Sequence, residues 1–211
     1  MSDRASLERG LAAMGIDLPE SAHDKLVAYA ALLAKWNKVY NLTAIRDPGQ
    51  MMSHHLFDAL SVLPHLAGVT QLADVGSGGG LPGIPLAIAR PDMSVTSIET
   101  VNKKATFQQQ AKIELKLANF EPVCARVEEV RCESGFDGII SRAFSELADF
   151  IRLTAHLLAP GGRFYAMKGV YPHEEIERLP DGFVVVEAIE LVVPALDAHR
   201  HLIIIERSAD A

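Results

Sequence analysis

The chain has 211 residues, of which 49% are hydrophobic and 22% charged, and its formal net charge is -7. A globular domain of this length can bury a core without disulfides or metal. The acidic balance argues against a free-standing general nucleic-acid binder, which is normally basic, although a local basic face stays possible.

Two cysteines, Cys124 and Cys132, make neither a zinc spacing nor a disulfide framework. The N-terminus MSDRASLERG is charged and has no apolar stretch, and no run reaches membrane-spanning length. The expectation is a cytoplasmic protein.

A short helix is expected around Leu7 to Met14. From Pro19 to Tyr40, Leu26, Ala30, Leu33, Trp36 and Tyr40 recur at helical spacing. Asp47 and Pro48 open a further helix, Asp47 as N-cap and Pro48 in the first turn. Its apolar side is Met52, Leu56, Ala59 and Leu63, and Pro64 closes it. Residues 1–69 thus read as a helical extension, and 70–211 as a second unit packed with it.

In that second unit short apolar runs alternate with helical ones. Strands are expected at Gln71–Val75, Ser94–Glu99, Pro122–Ala125, Phe136–Ser141, Arg163–Lys168, Phe183–Val193 and His201–Arg207. Helices are expected at Pro82–Ala89, Asn102–Leu117, Ser145–Leu158 and His173–Arg178, with a turn at Ala159–Gly162. Such alternation predicts an α/β fold with a mostly parallel, seven-stranded sheet covered on both faces. Two successive strands at the end predict an antiparallel hairpin at one edge.

The first strand runs into DVGSGGGLPG, where Gly76, Gly78, Gly79, Gly80 and Gly83 fall within eight positions. A strand, a glycine turn and a helix N-terminus make a cradle that a ligand can approach closely. A phosphate-binding P-loop needs Gly-Lys-Ser/Thr, but the turn ends in Gly80-Leu81-Pro82. A dinucleotide fingerprint needs a third glycine where Leu81 stands. The pattern D-x-G-x-G-x-G, with Asp74, Gly76, Gly78 and Gly80, fits without gaps. An acidic residue before the glycines suits a cationic ligand without phosphate, as S-adenosylmethionine is. Glu99, ending the second strand, stands where a carboxylate can accept ribose hydroxyls. A tight structural turn with a solvated Glu99 is the alternative. An α/β sheet ending in an antiparallel hairpin is the Rossmann-like layout of S-adenosylmethionine-dependent methyltransferases, so motif and fold point the same way.

Five segments extend this reading: WNKVYNLTAIRD (Trp36–Asp47), DVGSGGGLPGIPLAI (Asp74–Ile88), ARVEEV (Ala125–Val130), ISRAF (Ile140–Phe144) and GRFYAMKG (Gly162–Gly169). In this order the chain resembles the glucose-inhibited division protein B family, bacterial small-subunit 16S rRNA guanine-N7 methyltransferases. The resemblance implies a class I methyltransferase that uses S-adenosylmethionine, with 16S rRNA or the small ribosomal subunit as partner. It places cofactor contacts on Gly76, Leu81, Val127, Glu128 and Arg142.

N7 of guanine has a free lone pair, so attack on a sulfonium methyl needs no general base; alignment and a fitted electrostatic environment suffice. Arg142, just after the fourth strand, is expected to position cofactor or base, or else to pair with a nearby carboxylate. Lys168, ending the fifth strand, is a candidate phosphate contact or a solvated lysine. Asn41 and Arg46, in a polar loop, are candidate RNA contacts. Lys35, Lys38, Arg46, Lys103, Lys104 and Arg126 could form a local basic face, and Trp36 is expected in the helical core. His54, His55 and Asp58 could suggest a metal, but helical spacing puts the two histidines on different sides, and no metal is expected. A nicotinamide-dependent oxidoreductase and a non-catalytic RNA or ribosome-binding module are the competing functions.

Overall fold

The structure, a computed structural model, describes residues 3–45 and 47–208. Seven strands form one sheet in the order β3-β2-β1-β4-β5-β7-β6. They are β1 (Gln71–Val75), β2 (Ser94–Glu99), β3 (Phe120–Cys124), β4 (Phe136–Ser141), β5 (Leu158–Lys168), β6 (Phe183–Glu190) and β7 (His201–Arg207). β1 to β5 are parallel, and β7 pairs antiparallel with both β5 and β6. The expected terminal hairpin is present, with its second strand inserted between β5 and the edge strand β6.

The helices are α1 (Asp3–Ala13), α2 (Glu20–Tyr40), α3 (Pro48–Met51), α4 (Asp58–Leu60), α5 (Gly83–Ala89), α6 (Asn102–Glu114), α7 (Leu147–Thr154) and α8 (His173–Glu177). No helix among the described residues is long and apolar enough to cross a membrane.

The sheet is buried on both faces, which is why its central strands are almost continuously apolar. Leu72, Ile140, Leu202 and Ile204 point to one face; Ala73, Ile139, Ile203 and Ile205 point to the other. On the first face Leu7, Leu26, Tyr29 and Leu56 from the helical N-terminal third join Ile84, Leu86, Phe107 and Ala111 of α5 and α6 in one cluster. On the second, Leu147, Phe150 and Ile151 of α7 pack on the sheet. The alternation of the strand residues and the helical stripe of α2 therefore meet in a shared core. Trp36 is partly buried there, edge-on to Phe107 and tilted against Tyr40.

Several boundaries differ from the sequence expectation, each for a physical reason. β3 begins at Phe120, two residues early, because Phe120 is buried opposite Val95. The expected turn at Ala159–Gly162 lies inside β5 as an irregularity: Phe136 pairs with Leu158, and Gly138 already with Arg163. Gly161, with φ +74°, lets the strand bulge there. β6 ends at Glu190 instead of Val193. α7 stops at Thr154 and tightens into a 3₁₀ turn at Ala155–Leu157.

The helix expected from Pro48 to Leu63 is broken by a π-helical segment, Met52–Phe57, between α3 and α4. Pro64 falls in a separate 3₁₀ turn, Leu63–His65. The wider winding changes which side chains share a face, with consequences for the site.

Leu26 is fully buried on the α2 face that meets the core. Leu26→Ala is expected to cost roughly 2–5 kcal/mol, with thermal unfolding still a single transition because helices and sheet share one cluster. Two separate transitions by calorimetry would show the helical layer to be independent.

Candidate active site

β1 delivers the chain into the glycine turn at the carboxyl edge of the sheet. β1 lies between β2 and β4, where the strand order reverses; open α/β sheets bind ligands at such a crevice. Gly76, Gly78 and Gly80 all have positive φ, +72°, +59° and +84°, which accounts for glycine at these positions.

The turn pairs some of its own peptide groups, Gly80 N and Leu81 N both on Ser77 O, and the remaining buried polar groups must find partners elsewhere. Buried side chains from four elements supply them. The Tyr29 hydroxyl of α2 donates to the Gly79 carbonyl at 2.7 Å. Gln108 Nε2 of α6 donates to Gly78 O and Ser77 Oγ, both at 2.8 Å. Ser97 Oγ of β2 donates to Ser77 Oγ at 2.5 Å. Glu99 Oε2 accepts from Gly78 N at 2.8 Å, and its Oε1 accepts from Val101 N at 2.8 Å. Asp74 Oδ2 of β1 accepts from Gly83 N at 2.7 Å, at the start of α5.

Burial pushes the Tyr29 phenol well above its usual range, so it remains a neutral donor. Burial likewise raises Asp74 to about 7; the Gly83 N–H and the Arg142 guanidinium oppose the rise, and Glu99 adds to it.

Beside the turn opens a cleft of about 240 Å³ whose walls include Gly76, Ile98, Thr100, Val127, Glu128, Ala143 and Phe144. Val127 and Glu128 come from a 3₁₀ turn, Val127–Glu129, that follows β3. Val127 is buried and Glu128 exposed, which gives the slot an apolar wall and an acidic rim. Gly76 packs so closely on the opposite wall that a Cβ there would lie 2.7 Å from the Ala143 Cβ. A Cβ on Gly78 would meet nothing within 4 Å, so the space over the turn is open. An apolar slot with a carboxylate rim and an open glycine floor suits a flat heterocycle carrying a hydroxylated sugar.

A second, larger pocket of about 430 Å³ is lined by Ile45, His54, His55, Asp58, Arg142, Met167, Lys168, Gly169 and Arg200. Arg142 leads directly into Ala143 and Phe144 of the cleft wall. The centre of the pocket is Asp58, whose side chain is only 5% exposed. Its Oδ2 accepts from Arg142 Nη1 at 2.8 Å and its Oδ1 from Arg200 Nε at 2.9 Å. A buried carboxylate needs such pairing.

The π-helical segment brings His54 and His55 to this one pocket, which corrects the expectation that they face different sides. His55 Nδ1 lies 3.0 Å from the His54 carbonyl and therefore carries the proton; Nε2 accepts from the Thr43 hydroxyl at 2.9 Å. Burial, reinforced by Arg142, lowers His55 to about 4, and it is neutral. No group of three or more metal-ligating side chains occurs among the described residues.

The residues singled out in the sequence thus divide. Gly76, Val127 and Glu128 line the cleft. Gly78 and Glu99 are bonded to each other within the turn. Leu81 is buried core, its N–H on Ser77 O. Asp74 is fully buried beneath the turn, not displayed on the cleft surface, because its carboxylate caps α5.

Arg142 lines the larger pocket and is paired with Asp58, as the carboxylate alternative anticipated. Lys168 is 10% exposed and is tied to Glu175 at 2.6 Å and to the carbonyls of Phe144 and Ser145; it braces the cleft wall in place of standing free. Asn41 caps α2 in a left-handed conformation and is exposed. The loop after it is held by buried Asn37, which donates to Ile45 O and accepts from Thr43 N. Arg46 lies outside the described residues.

Sequence reasoning did not find Tyr29, Gln108, Asn37 or Arg200, and it weighed Asp58 only as a metal ligand. Tyr29 and Gln108 sit at ordinary core spacings. Arg200 lies in a polar loop 142 residues from Asp58, and no local pattern links them.

Residues 22–203 match the family model described as rRNA small subunit methyltransferase G. The chain is 67% identical to the ribosomal RNA small subunit methyltransferase G of Aromatoleum aromaticum, over 97% of this chain and 99% of that one. It is 60% identical to the protein of the same name from an Azoarcus species, over 95% of each. Among solved structures it superposes on a SAM-dependent methyltransferase from Aquifex aeolicus with a TM-score of 0.60, at 17% identity, covering 82% of this chain and 97% of that one.

Asp74 gives the fold a pH signature. The folded state holds its proton up to about pH 7, but the unfolded chain only up to about 3.9. Its contribution to stability therefore falls as pH rises through that window. His55 works the other way, losing stability as pH falls from about 6.5 towards 4. Asp74→Asn removes the first effect only. Its denaturation midpoint relative to wild type is expected to climb between about pH 4 and pH 7; a constant difference would sink the assignment.

Proposed function

Because the chain belongs to the rRNA small subunit methyltransferase G family, we propose that it transfers a methyl group from S-adenosylmethionine to N7 of a guanine in 16S rRNA of the small ribosomal subunit. The observation that carries this reading is a pair of cavities lined by consecutive residues. A slot built on the glycine turn and the Val127–Glu128 turn is walled by Ala143 and Phe144, and Arg142, their neighbour in the chain, lines a second pocket that holds two guanidinium groups.

The slot fits the cofactor's nucleoside end. Val127 and Ile98 offer apolar contact to the adenine, and Glu128 and the Thr100 hydroxyl offer polar contact at the rim. The open floor at Gly76 and Gly78 leaves room for the chain that carries sulfur. Asp74, Gly78, Leu81 and Glu99 act one step back: they hold the turn in the shape that leaves this space open. When bound, the cofactor supplies an electrophilic methyl on a sulfonium.

The protein's task is then alignment. The N7 lone pair is available without deprotonation, so no residue must remove a proton. His55 matches this, because it is neutral and its Nε2 is engaged with Thr43. Arg142 is fixed by Asp58 and by the His54 carbonyl at 3.3 Å. It holds the base and the cofactor in register. Asn41 and the basic side chains of α2 and α6 would meet the RNA around the target, and each phosphate contact adds salt dependence.

The competing functions are not supported. The third glycine of the nicotinamide fingerprint is replaced by Leu81, a core residue, and the relatives are methyltransferases by name. Work on the ribosome implies action in the cytoplasm.

Calorimetric titration is expected to show binding of S-adenosylhomocysteine and no response to NAD. Labelled methyl from S-adenosylmethionine should appear in small-subunit RNA as 7-methylguanosine. Arg142→Ala should retain the fold and lose about 10- to 100-fold in transfer rate, the worth of one charged hydrogen bond. NAD binding without adenosylhomocysteine binding would end this reading, and full turnover by Arg142→Ala would remove that residue's role.

A further inference from the structure

Two guanidinium groups, Arg142 and Arg200, line the larger pocket, both held on one carboxylate. Asp58 Oδ1 and Oδ2 are held by Arg200 and Arg142. The His54 carbonyl accepts from Arg142 and from His55 Nδ1. The Gly169 carbonyl accepts from His201 Nδ1 at 2.9 Å. Arg200 spends Nε on Asp58 and Nη1 on the His199 carbonyl at 2.8 Å. Its Nη2 has no partner among the described residues. Arg200 is thus a guanidinium fixed at two points, with one nitrogen left over.

A purine entering this pocket to be methylated must keep N7 free. Guanine then has one acceptor left on that edge, O6, and adenine has a donor there instead. A fixed guanidinium N–H facing that position accepts the first and rejects the second. Arg142 continues into the cleft wall, where N7 must point, whereas Arg200 stands on the other side of Asp58.

We propose that Arg200 is a specificity-determining residue that donates from Nη2 to guanine O6, and that Asp58 is its positioning residue. This rests on the methyltransferase reading. In the transfer, the N7 lone pair forms the new N–C bond as the C–S bond breaks. Sulfur keeps the electron pair, no proton moves, and the positive charge passes to the base. The Asp58 carboxylate offsets one of the two guanidinium charges beside the base that becomes cationic.

The test is a cycle between protein and base. The substrate is small-subunit RNA with either guanine or 2-aminopurine at the methylated position; 2-aminopurine keeps N7 and lacks O6. On guanine RNA, Arg200→Ala should lower kcat/KM by about 10- to 100-fold, with adenosylhomocysteine affinity unchanged. Wild type should lose a similar factor on 2-aminopurine RNA. Arg200→Ala should lose little more on that RNA, because the contact is already gone. Asp58→Asn should lower kcat/KM by a smaller factor on 2-aminopurine RNA than on guanine RNA, the loss that remains being that of Arg142, which Asp58 also holds; a general loss of structure would lower both equally. If Asp58→Asn does not fold, the Arg200 cycle decides alone. Losses that multiply, or guanine turnover unaffected by Arg200→Ala, would overturn the proposal. A wild type that neither binds adenosylhomocysteine nor methylates guanine RNA would instead fault the reading beneath it.

Discussion

The constraint on which this structure turns is the need to satisfy buried peptide groups at the glycine turn. A turn with three left-handed glycines leaves carbonyls and N–H groups that no regular ladder can pair. Tyr29, Glu99, Gln108 and Asp74 meet them from α2, β2, α6 and β1, and Ser97 holds the Ser77 hydroxyl. Each bond is worth little on its own, but a buried partner left unmet costs more. The turn is therefore held from all sides, and the cleft beside it keeps its shape. The helical N-terminal third, through Tyr29, is part of this clamp and not an appendage.

The same logic organises the second pocket. One buried carboxylate, Asp58, orients two guanidinium groups that arrive from distant parts of the chain, after β4 and before β7. Removing the carboxylate would leave two partly buried cations without their shared partner. That arrangement depends on the π-helical winding of Met52–Phe57, which turns His54 and His55 to one side and sets Asp58 beneath them. The apolar slot and the cationic pocket are thereby lined by neighbouring residues, Ala143 and Phe144 in one and Arg142 in the other.

Much of the architecture was legible in the sequence. Apolar runs alternating with helical periodicity foretold a sheet covered on both faces, and two consecutive final strands foretold the hairpin. The glycine pattern located the turn beside the slot, and ARVEEV located residues of the slot's wall. What escaped notice was local winding and irregularity. The π-helical segment has no composition that sets it apart from an α-helix, and the bulge in β5 looks like a turn because Pro160, Gly161 and Gly162 favour either.

Roles, as opposed to places, were harder to read. An aspartate before glycines suggested a ligand contact, yet Asp74 is sealed under the turn, where its Oδ2 accepts from a backbone N–H. Lys168 suggested a phosphate contact, yet it anchors two carbonyls and Glu175. From the sequence alone came the fold class, the position of the glycine turn and, through family-specific segments, the chemistry. These depend on periodicity and short spacings, which are properties of neighbouring residues. Only the tertiary structure decided which polar groups serve the ligand and which serve the backbone, and that Asp58 joins Arg142 to Arg200. Such choices turn on burial and on contacts between residues far apart in the chain, and no local pattern encodes them.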